Sequence, residues 1–362
     1  MNICHSFKCL TILTMMTGCM TKSLREISWN VPEEVYRADT ALSYSTLSKF
    51  KRSGFNELEH LFDKIETLSL TFGSAVDSII TGGEEEFESR FMVAEYPAVP
   101  ESIINVVRYL FDNYHSTYRI LENIPDKEVI EVAAQFNYQN NWKPETRAKV
   151  IKEKGSAYYR LLYLSKDKTI LDTATNLDIR KTVEALRNSP TTRWYFAPSN
   201  PFENVERLYQ LKFKATLNGI GYRCMADLLI VDYDRKVIIP VDLKTSGKPE
   251  WDFYKSFVDW RYDIQARLYW RIIRDNLDRD PYFKDFKLLD YQFIVANRRT
   301  LTPLIWQCEF TQQKGLIEFN DVVFEDPEDI GKELHTYLTS NLSVPIGINL
   351  KEPNSLTEWL SK

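Results

Sequence analysis

Two apolar segments, each carrying a carboxylate, constrain this chain more than any other feature: Met225-Ala226-Asp227-Leu228-Leu229-Ile230-Val231 and Val237-Ile238-Ile239-Pro240-Val241-Asp242-Leu243-Lys244-Thr245. Runs this rich in Val, Ile and Leu read as buried strands, where an unpaired charge is costly enough to need a reason. Side chains alternate across a strand, so Asp242 and Lys244 share one face while Val241 and Leu243 share the other. A turn centred near Asp232 to Arg235 brings the second segment back antiparallel to the first, which lets Asp227 converge on Asp242. Converging carboxylates beside a lysine suit a hard divalent cation, Mg²⁺ or Mn²⁺. An Asp-x-Lys spacing alone also fits a solvated strand face; the apolar flanks argue against that here. Pro240 removes a ladder donor, and a bulge or an edge position just before Asp242 would accommodate it.

The same strand texture begins near Phe202. Val205 to Leu217, Tyr222 to Val231 and Val237 to Lys244 form three strand-like segments, with Asn218-Gly219 supplying the first turn. A helix from about Trp260 to Asn276 follows, then strands around Leu289 to Ala296 and Leu301 to Phe310. The order β-β-β-α-β-β predicts an α/β (α+β) fold with a mixed central sheet flanked by helices.

Upstream the pattern is helical. Ser43 or Ser45 caps a helix carrying Leu47 and Phe50, and a second helix is expected around Phe55 to Phe62. Phe72-Gly73-Ser74-Ala75-Val76-Asp77-Ser78-Ile79-Ile80 is small and apolar around one carboxylate, ended by Gly82-Gly83, and further helices run from about Glu101 to Leu186. The expected division is a tail over 1–40, a helical layer contributing to the site over 41–200, a core over 201–340 and a tail over 341–362.

A formal charge of −5 and a pI near 5.6 exclude a surface that coats nucleic acid everywhere, so any such contact is local. Of five cysteines, Cys4, Cys9 and Cys19 crowd the first residues while Cys224 and Cys308 stand apart, which is no disulfide or zinc framework and fits reduced cytoplasmic thiols. The four histidines, at positions 5, 60, 115 and 335, have no metal-binding spacing. No Walker-type loop and no Ser or Cys nucleophile setting is evident. The apolar run ending at Met16-Thr17-Gly18-Cys19 imitates a lipoprotein signal; translation starting at Met20 is the plainer alternative. No other segment approaches a membrane span.

Asp227, fourteen residues, Asp242-Leu243-Lys244 and then Tyr262-Asp263-Ile264-Gln265-Ala266-Arg267-Leu268-Tyr269 resembles the PD-(D/E)XK nuclease signature with the Q-x-x-x-Y helix of its RecB-like branch. With Leu42-Ser43-Tyr44-Ser45-Thr46-Leu47 and Phe72-Gly73-Ser74-Ala75-Val76-Asp77, the pattern is most similar to RecE-type exonucleases (exodeoxyribonuclease VIII) and their lambda-type and YqaJ-like phage relatives, over roughly residues 41 to 310. The resemblance implies a restriction-endonuclease-like sheet and a Mg²⁺- or Mn²⁺-dependent exodeoxyribonuclease. Such an enzyme would work on double-stranded DNA in phage-type recombination or replication, with a single-strand annealing protein as partner and a homo-oligomer as one assembly. It assigns Asp227 and Asp242 to the metal, Lys244 to catalysis, and Gln265 with Tyr269 to the site or the DNA. Two positions depart from the family: Ala226 replaces the usual proline, and Asp77 replaces the histidine that joins the metal site.

Glu206 on the first strand is a weaker candidate. Lys248, Trp251, Lys255, Trp260, Arg261 and Arg267 are candidates to line a DNA groove by phosphate contact and stacking, with Lys248 and Arg261 foremost. Two other classes of function stay open at this point: a structure-specific endonuclease or repair nuclease, and a non-catalytic nucleic-acid-binding module. The intact Asp227, Asp242 and Lys244 set argues against the last, because carboxylates repel phosphate unless a cation lies between them.

Overall fold

The structure, a computed structural model, describes residues 22–54, 58, 60–62, 68–95, 97–166, 168–198, 200 and 203–339. The expected leader, Cys4, Cys9, Cys19, His5 and the 341–362 tail lie outside the described residues. Helices α1 (Glu33–Ala38), α2 (Tyr44–Ser53) and α3 (Leu68–Arg90) come first, α3 being two helices joined at Gly83, whose φ of 74° is non-helical. Strand β1 (Phe91–Val93), helices α4 (Glu101–Tyr114), α5 (Asp126–Gln135) and α6 (Pro144–Ser165), strand β2 (Thr169–Leu171) and helix α7 (Thr173–Asn188) complete the helical half. Strands β3 (Val205–Leu217), β4 (Ile220–Asp232) and β5 (Val237–Ser246) are followed by α8 (Phe253–Asp259) and α9 (Tyr262–Arg279). After β6 (Lys287–Leu288), β7 (Gln292–Asn297) and β8 (Leu304–Gln307) come a hairpin of β9 (Ile317–Phe319) and β10 (Val322–Phe324) and then α10 (Pro327–Thr339).

The main sheet runs β3-β4-β5-β7-β8, with β6 also on β5. Strands β3, β4 and β5 form an antiparallel meander, β5 pairs in parallel with β6 and β7, and β8 returns antiparallel. This is the mixed α/β sheet expected from the strand-helix order. Asn218 and Gly219 turn the first hairpin with φ of 50° and 81°, the left-handed pair that a two-residue turn between right-twisted strands requires. Pro240 needs neither a bulge nor an edge. It falls between the last β6 pair, Ile238 with Leu288, and the first β7 pair, Val241 with Gln292, so its missing N–H costs no ladder bond on that side.

Each face of the sheet has its own core. On one, Ile264, Leu268, Ile272 and Ile273 of α9 recur every three or four residues and bury against Phe213, Cys224, Ala226 and Phe293. On the other, Ala75, Val76 and Ile79 of α3 and Ile179 and Val183 of α7 cover Leu228, Ile230, Val241 and Ile294.

Several expectations need correction. The helical layer over 41–200 is two bodies: α2, α3 and α7 contribute to the sheet's two cores, whereas α4, α5 and α6 enclose a third core of Ile103, Val107, Leu110, Val129 and Ile151. That bundle leaves and returns through the parallel pair β1 and β2. Within the tail expected over 1–40, the described residues pack onto the core: Leu24 and Tyr36 are buried, and the Trp29 N–H donates to the Lys212 carbonyl at 2.7 Å. Within the helix expected at Phe55 to Phe62, Leu58 and His60 to Phe62 form bend and turn, and the rest lies outside the described residues. No helix among the described residues is long and apolar enough to cross a membrane.

Candidate active site

The site is built on an irregularity shared by β3 and β4. Their ladder pairs Val205–Tyr209 with Leu228–Asp232 and Leu211–Leu217 with Ile220–Ala226, leaving only Gln210 and Asp227 unpaired. Gln210 takes a left-handed φ of 55°, which costs a side-chain-bearing residue about 1–2 kcal/mol. Both strands change phase there. Leu211, Phe213 and Ala215 lie in the α9-side core, and so does Leu208, while Ala226 and Leu229 lie there on β4. Tyr209 and Leu228 lie on the α3 side. Asp227 joins Leu228, Tyr209, Val241 and Leu243 around one cavity, and Asp77 of α3 lines it from above. A regular β4 would have sent Asp227 and Leu228 to opposite faces.

Strands β4 and β5 part at the same level. Leu228 with Val241 is the end pair between them, after which β5 continues with β7 as far as Ser246. Asp227 reaches into this fork, where its Oδ2 accepts a 3.0 Å hydrogen bond from the Leu243 N–H. Gly73 brings α3 against the same end of β5: a Cβ there would stand 2.9 Å from Thr245 Oγ1, so a larger residue would force the Thr245 side chain or the helix to shift.

On the α9 side of β5, Lys244 forms an ion pair with Asp242 Oδ2, and Gln265 Nε2 donates to Asp242 Oδ1. The Lys244 ammonium stands 4.7 Å from the centre of the Tyr262 ring, which packs beside Tyr44. Burial alone would lower the Lys244 pKa, but Asp242, Tyr262 and Asp227 outweigh it and raise the pKa above the usual lysine range. Burial raises Asp227 well above an ordinary carboxylate, and Asp242 and Asp77 add to the rise. Asp77 is pushed up to about 7 by burial, with the Asp242 and Glu33 carboxylates reinforcing and Arg90 and Lys244 opposing. Its Oδ2 accepts from Gln210 Nε2 at 3.0 Å, while Oδ1 is buried with no hydrogen bond, as is Asp242 Oδ2 apart from its lysine.

Asp77 and Asp227 thus share one cavity, Lys244 and Gln265 are joined to Asp242, and the Asp242 charge acts on both Asp77 and Asp227. Other sequence candidates do not join this group. Glu206 pairs with Val231, four residues along β3 from Gln210, and accepts from Ser23 and the Tyr233 hydroxyl. Arg267 is wholly buried and donates to the carbonyls of Gln313, Gly315 and Glu325, so it lines no surface groove. Tyr269 lies buried edge-on to Tyr291, beneath the site rather than facing outward. Arg261 is held by both Asp263 oxygens, at 2.9 and 3.2 Å, and approaches Glu325 at 3.8 Å. Lys248 lies on the surface, paired with Asp259 at 3.2 Å, and Lys255 pairs with Asp252. Trp251 is 77% exposed and Trp260 is 48% exposed beneath the Arg52 guanidinium.

Sequence reasoning missed Gln210 and Arg90, the latter donating to Ser74 Oγ at 2.5 Å beside Asp77. Their only signal is three-dimensional: Gln210 is one of several polar residues in β3, and Arg90 is the last residue of the kinked α3.

Compared with known proteins, the sequence matches no family model and no curated protein. Among solved structures it is similar to a protein from Eubacterium rectale described as a candidate exonuclease, at 15% identity and a TM-score of 0.39, covering 86% of this chain and 84% of that one. At that distance the functional reading rests on the site itself.

Proposed function

We propose that this chain is a divalent-metal-dependent deoxyribonuclease of the PD-(D/E)XK type, with RecE-like exonuclease action on double-stranded DNA as its particular form. The observation that carries the reading is the gathering of Asp227 and Asp242 at the fork of β4 and β5, with Lys244 and Gln265 both joined to Asp242.

The residues suit a hard cation. Asp77 Oδ1 is a buried carboxylate oxygen lacking a hydrogen bond and Asp242 Oδ2 has only the Lys244 ammonium, and burial first and neighbouring carboxylates second raise Asp77 and Asp227, a cost of ionisation that a divalent ion would relieve. Among the described residues no three of His, Cys, Asp and Glu already stand close enough to hold an ion alone. Mg²⁺ keeps several waters and takes one or two protein carboxylates together with substrate phosphate, so it does not require three. One or two carboxylates of the set Asp77, Asp227 and Asp242, together with water and substrate phosphate, would hold the ion, which when bound supplies charge neutralisation at the phosphate and an activated water.

The protein's own groups do the rest. Lys244, ion-paired to Asp242, would orient the attacking water and neutralise charge on the phosphate oxygens. Gln265 fixes the Asp242 carboxylate from the rigid α9. In this reading the enzyme acts in the cytoplasm and hands single strands to an annealing protein.

Trp251, at the end of β5 beyond Lys248, offers a stacking surface to a base. Trp251→Ala is expected to weaken DNA binding about 5- to 100-fold, the scale of one lost base-aromatic contact, with the melting temperature unchanged. Equal affinity of the variant in a fluorescence-anisotropy titration would remove Trp251 from the DNA surface. The mode of action is read by incubating end-labelled linear and closed circular duplexes with the protein and Mg²⁺. Degradation of the linear form alone supports the exonuclease, and nicking of the circle refutes it.

A further inference from the structure

We propose that Gln210 is a positioning residue for the metal-binding carboxylates, acting through Asp77 and through the sheet irregularity that places Asp227; the inference rests on the nuclease reading above. Three independent features coincide at this position. Gln210 adopts a left-handed φ of 55° in the middle of a 13-residue strand, without glycine. It faces the one residue of β4 inside the ladder, Asp227, that also lacks a strand partner. Its amide is spent on Asp77 Oδ2 at 3.0 Å rather than on solvent or the ladder.

The geometry gives these features one consequence. With Gln210 out of the pleat, Tyr209 and Gln210 both face α3 on one strand, and Asp227 and Leu228 do so on the other, so two adjacent residues of each strand line or border one cavity. The Gln210 amide then holds one oxygen of Asp77 and leaves the other, buried and unpartnered, to the cavity that Asp227 shares. Strain of this kind persists only where the surroundings fix it, and it collects at functional sites. An amide that orients a ligating carboxylate acts on ion affinity without touching the ion.

Two substitutions separate the backbone contribution from that of the amide. Gln210→Gly keeps the left-handed conformation at no steric cost but deletes the amide. Gln210→Ala deletes the amide and keeps the strain that the wild-type glutamine already carries. Mn²⁺ binding is measured by isothermal titration on the full chain, alongside kcat and KM for a linear duplex and the melting temperature without metal. The proposal expects Gln210→Gly to bind Mn²⁺ about 10- to 100-fold more weakly, the range for losing a residue that orients a metal ligand. Its kcat should fall while KM for DNA and the melting temperature hold, and Gln210→Ala should show the same binding loss with a melting temperature no higher than that of Gln210→Gly. Wild-type Mn²⁺ affinity and kcat in Gln210→Gly would overturn the positioning role while leaving the nuclease reading intact. A wild-type chain that neither binds Mn²⁺ nor cleaves DNA would overturn both.

Discussion

Lys244→Ala and Asp242→Ala should each lower the rate of DNA hydrolysis by about 100-fold or more, the scale for removing a group that acts in the transition state. The two losses should not add, because Lys244 and Asp242 are one ion pair and Gln265 is fixed to the same carboxylate. The variants differ in the metal-free state. Asp242→Ala leaves the partly buried Lys244 ammonium with Asp227 as its remaining acidic neighbour, whereas Lys244→Ala leaves a buried carboxylate among other carboxylates, the costlier arrangement. Circular dichroism should show both folded, Lys244→Ala with the lower melting temperature in chelator. Cleavage by Lys244→Ala within a few-fold of wild type would take Lys244 out of the chemistry.

The second large effect is on stability. Asp77 has a folded pKa of about 7 against an ordinary 3.8, so folding favours its neutral form. That contribution is fully present below about pH 4 and is lost as pH rises through about 7. Asp227 is raised as well and adds in the same direction. Metal-free protein should therefore lose stability between pH 5 and pH 8, and Asp77→Asn should recover roughly 1–3 kcal/mol of it at pH 8. Saturating Mg²⁺ should raise the wild-type melting temperature at pH 8 by a few degrees, as binding at about 100 times Kd stabilises by roughly 2.7 kcal/mol. Thermal scans at the two pH values with and without Mg²⁺ read this directly; a metal-free stability that rises towards pH 8 would contradict the charge arrangement of the site.

Much of this was legible in the sequence. The bounds of β3, β4 and β5 follow from β-branched runs punctuated by Asn218-Gly219 and by the Asp232–Arg235 turn, and the α9 pattern places Gln265 on the sheet side. The Asp-x-Lys alternation put Asp242 and Lys244 on one face, where they stand. Asp77 was legible as a carboxylate among small apolar residues, because only a close helix needs Gly73 at that place.

The phase change at Gln210 and Asp227 was not legible. It needs both strands to slip together, and Leu208-Tyr209-Gln210-Leu211 contains no glycine or proline to announce it. Glu206 and Arg267 were misleading for a related reason. A strand acid or a helix arginine is named by composition, but which end of the hairpin or which side of the helix it meets depends on register and on distant partners such as Asp326 and Gly315. The separate bundle of α4, α5 and α6 reads as ordinary amphipathic helices, and only the short pair β1 and β2 shows that it is bracketed off.

The most direct test of the central claim is hydrolysis of an end-labelled linear duplex by purified wild-type protein and by Lys244→Ala, each with Mg²⁺ and with excess EDTA. The account predicts nucleotide release by wild type in Mg²⁺, none in EDTA, and at least about a 100-fold slower release by the variant in Mg²⁺. Undiminished cleavage in EDTA, or no cleavage by wild type in Mg²⁺ or Mn²⁺, would contradict it.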